Sequence, residues 1–127
     1  MAERDRHEVG LVAARLLMGA LFVVMGYYKI GDIAGVAEWL AEWGLPGGTA
    51  LAWAVAVVEM GGGIALAIGI WPGPVALLLA LYLVPATLWF HRDVDVDAQV
   101  THLIKNTGII GGLLAIWSCR GGRMRLL

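Results

Sequence analysis

The sequence predicts an all-α integral membrane protein: a four-helix bundle with a short interfacial amphipathic helix in the outer connection between the first two spans. Three observations carry that expectation. Apolar residues fall into four long runs, and together they make up 60% of the 127 residues. Charged residues make up 15%, where a soluble domain of this size carries about 25%. Mean hydropathy is +0.79, so lipid is the simplest solvent for such a surface.

A helix needs about 20 apolar residues to cross roughly 30 Å of hydrocarbon. The first run covers 9–30. Arg4 and Arg6 precede it as they would in a signal peptide, but the run is too long for an h-region and no small-residue cleavage site follows. It is therefore read as a retained helix. Residues 32–43 come next, with Ile33, Val36, Trp39, Leu40 and Trp43 at helical spacing and Glu38 and Glu42 elsewhere. This segment is too short to span and suits a helix lying in the interface. The second run covers 49–70, the third 74–90 and the fourth 100–117. Four crossings use most of the chain, so 1–127 is read as a single domain.

Basic residues favour the cytoplasmic side. Arg4 and Arg6 lie at one end, and Arg120, Arg123 and Arg125 at the other. An even number of crossings puts both ends on one side, so both termini are expected in the cytoplasm. The two longer connections are acidic and would face outward: Asp32, Glu38 and Glu42 in one, Asp93, Asp95 and Asp97 in the other. Tyr27, Tyr28, Trp53 and Trp89 fall towards the outer interface, Trp71 and Trp117 towards the inner one, as aromatic belts do. The formal net charge of −1 gives no reason to expect nucleic acid. The single Cys119 leaves no internal disulfide and no redox pair. The alternating aspartates of the second acidic connection lack the glycine and closing glutamate of a calcium loop, and no metal site is expected.

Charges inside a membrane cost about 2.5–3.5 kcal/mol on insertion scales and usually face the bundle interior. Glu59 lies near the middle of the second span. Ala52, Val55, Ala56, Gly62, Gly63 and Leu66 share its face, and small residues of this kind let membrane helices approach closely. Arg15, Phe22 and Lys29 fall on one stripe of the first span. Arg15 and Lys29 lie about 21 Å apart along the helix axis. Arg15 either snorkels to the inner interface or reaches Glu59 in a structural ion pair; Lys29 either snorkels outward or pairs with Asp32. Pro85 interrupts the third span before Thr87 and His91. His102, Lys105 and Asn106 open the fourth, where the spacing of Gly108 and Gly112 suggests close packing. Lys29, His91, Lys105 and Asn106 are thus candidate ligand-binding residues in the outer half. Glu59 beneath them is the candidate catalytic residue, exchanging a proton. His91 and His102 are not placed to hold a haem, which needs axial ligands facing each other across the ring.

Several segments, in order, resemble the DoxX family of small bacterial four-helix membrane proteins. They are Arg15-Leu16-Leu17-Met18-Gly19 with Gly26 and Lys29-Ile30; Trp43-Gly44-Leu45-Pro46; Val58-Glu59-Met60-Gly61-Gly62-Gly63 with Leu66 and Gly69; Thr87-Leu88-Trp89-Phe90-His91; and His102-Leu103-Ile104-Lys105-Asn106 with Gly111-Gly112-Leu113-Leu114. The short turn Trp71-Pro72-Gly73-Pro74 departs from the family in lacking its frequent Arg or Lys. The resemblance implies a multi-pass protein of the bacterial inner (plasma) membrane. It also implies a link to respiratory chemistry, since a relative is described as a subunit of a thiosulfate:quinone oxidoreductase, and others are tied to oxidative-stress complexes.

Two readings follow. In one, the chain is a subunit of a quinone-linked membrane oxidoreductase. Lys105, Asn106 and His91 would donate to a quinone, Glu59 would exchange its proton, and a redox partner subunit would supply electrons. No covalently bound cofactor is expected. In the other, the chain is a membrane anchor, assembly factor or small-molecule carrier whose ion pairs hold the helices. The glycine-rich faces permit a homodimer.

Overall fold

The computed structural model describes residues 2–90 and 97–127. Among them are five helices and no strand: α1 (Glu3–Ile30), α2 (Ile33–Glu42), α3 (Gly48–Ile68), α4 (Pro72–Phe90) and α5 (Asp97–Ser118). Of these, α1 and α3 are long and apolar enough to cross a membrane, and α4 contains a shorter apolar stretch, Pro72–Leu88.

The helix boundaries follow local chemistry. α1 begins well before the apolar run, because nothing between Glu3 and Glu8 breaks a helix. Glu3 and Asp5 in its first turn complement the helix dipole. Asp32 caps α2 by accepting from the Gly35 backbone N–H at 3.2 Å, which satisfies one of the helix's free donors. Gly44 ends α2 in the left-handed region at φ +81°. α3 stops where Gly69 turns left-handed at φ +85°. Pro72 opens α4, where its fixed φ suits a helix start and no N–H is needed. α4 continues through Pro85.

α1 lies most closely against α3, and α4 against α5. α3 also packs on α4, α1 on α5, and α2 on α3. The α1–α3 approach depends on glycine. A Cβ on Gly19 would sit 2.5 Å from the Gly63 carbonyl oxygen, and one on Gly63 would sit 2.6 Å from the Gly19 carbonyl oxygen. The small residues on the Glu59 face therefore do what their pattern suggests: Ala52, Ala56, Gly63 and Leu66 are buried with Glu59. The glycines of α5 do not. A Cβ on Gly108 or Gly111 would meet nothing within 4 Å, and one on Gly112 would meet only the flexible end of Met18. Their spacing was expected to bring a helix close, but Gly108 and Gly112 instead border an open groove beside α1.

The core is Phe22, Leu66, Leu79, Leu83, Leu113 and Ile116, with smaller residues between them. Outside it the usual arrangement is reversed. Leu17 is 74% exposed and Ile104 68%, while Arg15 is 3% and Glu59 2% exposed. Large apolar side chains cover the exterior and charges lie within, which suits a hydrocarbon solvent and not water.

Candidate ligand cavity

Glu59 lies midway along α3, on the face that meets α1 and α4. Both of its oxygens are engaged. Lys29 Nζ donates to Oε2 at 2.8 Å, and the Tyr82 hydroxyl donates to Oε1 at 2.7 Å. Lys29 comes from the last turn of α1, where a cation suits the helix C-terminus. Its side chain keeps 23% exposure. Tyr82 comes from α4. A carboxylate, an ammonium and a phenol thus meet at the junction of three helices, and the cation offsets the anion.

This cluster forms one wall of a cavity of about 380 Å³, within the range of small-molecule sites. Val36, Trp39 and Leu40 of α2 line it, followed by Leu45 and then Leu51 and Val55 of α3. Leu83, Pro85 and Ala86 of α4 and Met25 of α1 complete the apolar lining, and Asn106 of α5 reaches it as well. Asn106 is buried and donates from Nδ2 to Thr87 Oγ1 at 3.1 Å. The cavity is mostly apolar, with Lys29, Glu59, Tyr82 and Asn106 as its polar points. Such a space suits a small apolar molecule carrying one or two polar atoms.

The predicted set is thus divided. Lys29, Glu59 and Asn106 come together at the cavity. Lys105 does not. It is exposed on α5, lies 3.4 Å from His102 Nδ1 and borders a groove beside Ala14, Leu17 and Leu21 of α1. Successive helical residues point about 100° apart, so turning Asn106 inward turns Lys105 out. His91 lies outside the described residues.

The expected pairing of Arg15 with Glu59 is corrected by the structure. Glu59 sits at the Lys29 end of α1, a long reach from Arg15. Arg15 instead donates from Nη1 to the carbonyl oxygens of Gly121, at 3.0 Å, and Met124. These belong to the segment that follows α5. That segment folds back across the α3–α4 turn: Gly69 O accepts from the N–H groups of Leu126 and Leu127, and Trp71 N–H donates to Leu127 O. Glu8 accepts from the backbone N–H groups of Arg123 and Met124 and pairs with the Arg123 side chain. The inner role expected of Arg15 is therefore filled by backbone carbonyls. Lys29 likewise pairs with Glu59 and leaves Asp32 to cap α2.

Tyr82 escaped the sequence reading. Its signal was a single hydroxyl in the stretch 75–84 of otherwise aliphatic residues, where a polar group needs a partner. Among the described residues, no three His, Cys, Asp or Glu side chains gather as metal ligands would.

The DoxX family model matches residues 10–92, a stretch that holds Arg15, Lys29, Glu59 and Tyr82 but ends before Asn106. The chain is also similar to inner membrane protein YqjF of Escherichia coli strain K12. The two are 31% identical over 109 residues, which is 86% of this chain and 82% of that protein. No solved structure matches.

Proposed function

The chain belongs to the DoxX family, and on that footing we propose that it is a multi-pass inner-membrane protein holding a small apolar molecule in the Glu59 cavity. α1, α3, α4 and α5 cross the membrane as a four-helix bundle, with both termini in the cytoplasm and α2 in the outer interface. The basic ends of the chain and the acidic connections support this orientation. The similarity to an inner membrane protein supports the compartment.

The bound molecule is a quinone, and the chain works as the quinone-linked subunit or membrane partner of a redox complex. One observation carries this reading: an apolar cavity of about 380 Å³ that ends on the Lys29–Glu59–Tyr82 cluster. Lys29 has donors left for a quinone oxygen, and the Glu59 carboxylate that accepts from it is the group with which Lys29 exchanges a proton. Cys119 is the only cysteine, which leaves no dithiol pair in the chain, and in this reading a partner subunit supplies the electrons.

A second reading has its own support. Both Glu59 oxygens are satisfied inside the protein, as a purely structural network requires. The chain would then be an anchor, assembly factor or carrier.

Purification in mild detergent, followed by lipid extraction and chromatography, separates the two. Quinone is expected to accompany the wild type and Lys105→Ala. It is expected to be lost from Ala86→Phe, which fills the cavity and leaves the ion pair intact. A folded wild type without quinone favours the second reading; equal quinone in Ala86→Phe sinks the cavity assignment.

A further inference from the structure

We propose that the cavity selects an electrically neutral, carbonyl-bearing ring and rejects both carboxylates and amines of the same shape. The inference rests on the cavity reading above and narrows it to a charge class.

The reasoning is one of charge balance. Among the described residues, the ionised groups lining the cavity are Lys29 and Glu59, and they face each other at 2.8 Å. Their charges cancel, so these described residues present no net charge to a ligand. Tyr82 and Asn106 are neutral. The remaining described lining is apolar. An anion entering this space meets the Glu59 carboxylate, and a cation meets the Lys29 ammonium. Either one loses its water without gaining a counter-charge, because the counter-charge is already engaged. Burying an uncompensated charge is costly. A neutral carbonyl meets no such cost. Lys29 donates one of its three N–H groups to Glu59, and the others remain for an acceptor. Tyr82 has committed its proton to Glu59, so it offers an acceptor oxygen and no donor to the ligand.

The pair also makes the selectivity reversible. Removing either partner uncovers the other's charge. Glu59→Gln leaves Lys29 to attract an anion. Lys29→Met leaves Glu59 to attract a cation. Removing both leaves a neutral cavity once more.

Three probes with one ring skeleton test this: 1,4-naphthoquinone, 2-naphthoate and 1-naphthylmethylammonium. Each is titrated calorimetrically into the whole purified chain in an uncharged detergent. The wild type is expected to bind naphthoquinone roughly a hundredfold more tightly than either ion. Glu59→Gln is expected to gain naphthoate and Lys29→Met to gain the ammonium. Lys29→Met with Glu59→Gln, which strands no charge, is expected to keep the neutral preference even where the single variants fold poorly. Wild-type binding of either ion as tight as that of naphthoquinone overturns the charge inference while leaving the cavity assignment standing. Failure of all three probes to bind the wild type and the double variant overturns the cavity assignment itself, and this inference with it.

Discussion

The Tyr82 hydroxyl donates to Glu59 Oε1 at 2.7 Å across the α3–α4 contact. It is the sole polar side chain in the stretch 75–84. Tyr82→Phe removes a donor from a buried carboxylate and is expected to cost about 1.5–3 kcal/mol, the range for hydrogen bonds to charged groups. Unfolding followed in detergent checks this. The exposed Tyr27 and Tyr28, changed to Phe, are expected to stay within about 0.5 kcal/mol of the wild type.

Lys29 and Glu59 form a double-mutant cycle. Breaking a buried pair from one side strands a charge and costs about 3–5 kcal/mol. Lys29 keeps 23% exposure, so Glu59→Gln should fall at the lower end, with Lys29 turning towards the rim. Lys29→Met should fall at the upper end. The double variant is expected to cost less than the sum of the singles. Strict additivity in the unfolding data would show that the two charges do not interact.

At the α1–α3 contact, Gly63→Ala places a methyl group 2.6 Å from the Gly19 carbonyl oxygen and 2.9 Å from the Val23 nitrogen. Backbone cannot step aside cheaply, so a cost of about 1–3 kcal/mol is expected. Gly111→Ala meets open space and should stabilise by about 0.5–1 kcal/mol through helix propensity. Thermal unfolding of the two variants side by side reads the difference.

Arg15→Met leaves the Gly121 and Met124 carbonyls without their buried donor. The expected loss is about 1–3 kcal/mol, felt first by the segment after Ser118. Trypsin should then cut at Arg123 and Arg125 about tenfold faster, or more, for every 1.4 kcal/mol of weakened docking. An unchanged cleavage rate would mean that Glu8 and Gly69 hold the segment unaided.

The helices and the inward face of α3 were legible in the sequence because both are one-dimensional patterns. Run length marks a helix, and a heptad of small residues marks the side on which Glu59 lies. The amphipathic spacing of 32–43 likewise announced α2. The polar neighbours were harder to read. Lys105 and Asn106 were both expected at the site, but on a helix one residue changes the face, and only Asn106 reaches the cavity. Arg15 was assigned a carboxylate because sequence patterns display side chains. Its real partners are main-chain carbonyls in a non-helical segment, which have no sequence signature. Tyr82 was missed for a related reason: tyrosine in a membrane helix is read as an interface residue, and its inward turn is set by where α4 packs.

Arg15 carries a consequence for how the protein is made. Its acceptors lie 106 and 109 residues further along the chain. When α1 leaves the ribosome and enters the bilayer, the carbonyls that will hold its guanidinium have not been synthesised. The first helix is therefore made before the carbonyls that come to hold its guanidinium. Arg15 thus ties the first helix to the segment after α5, across more than a hundred residues of chain.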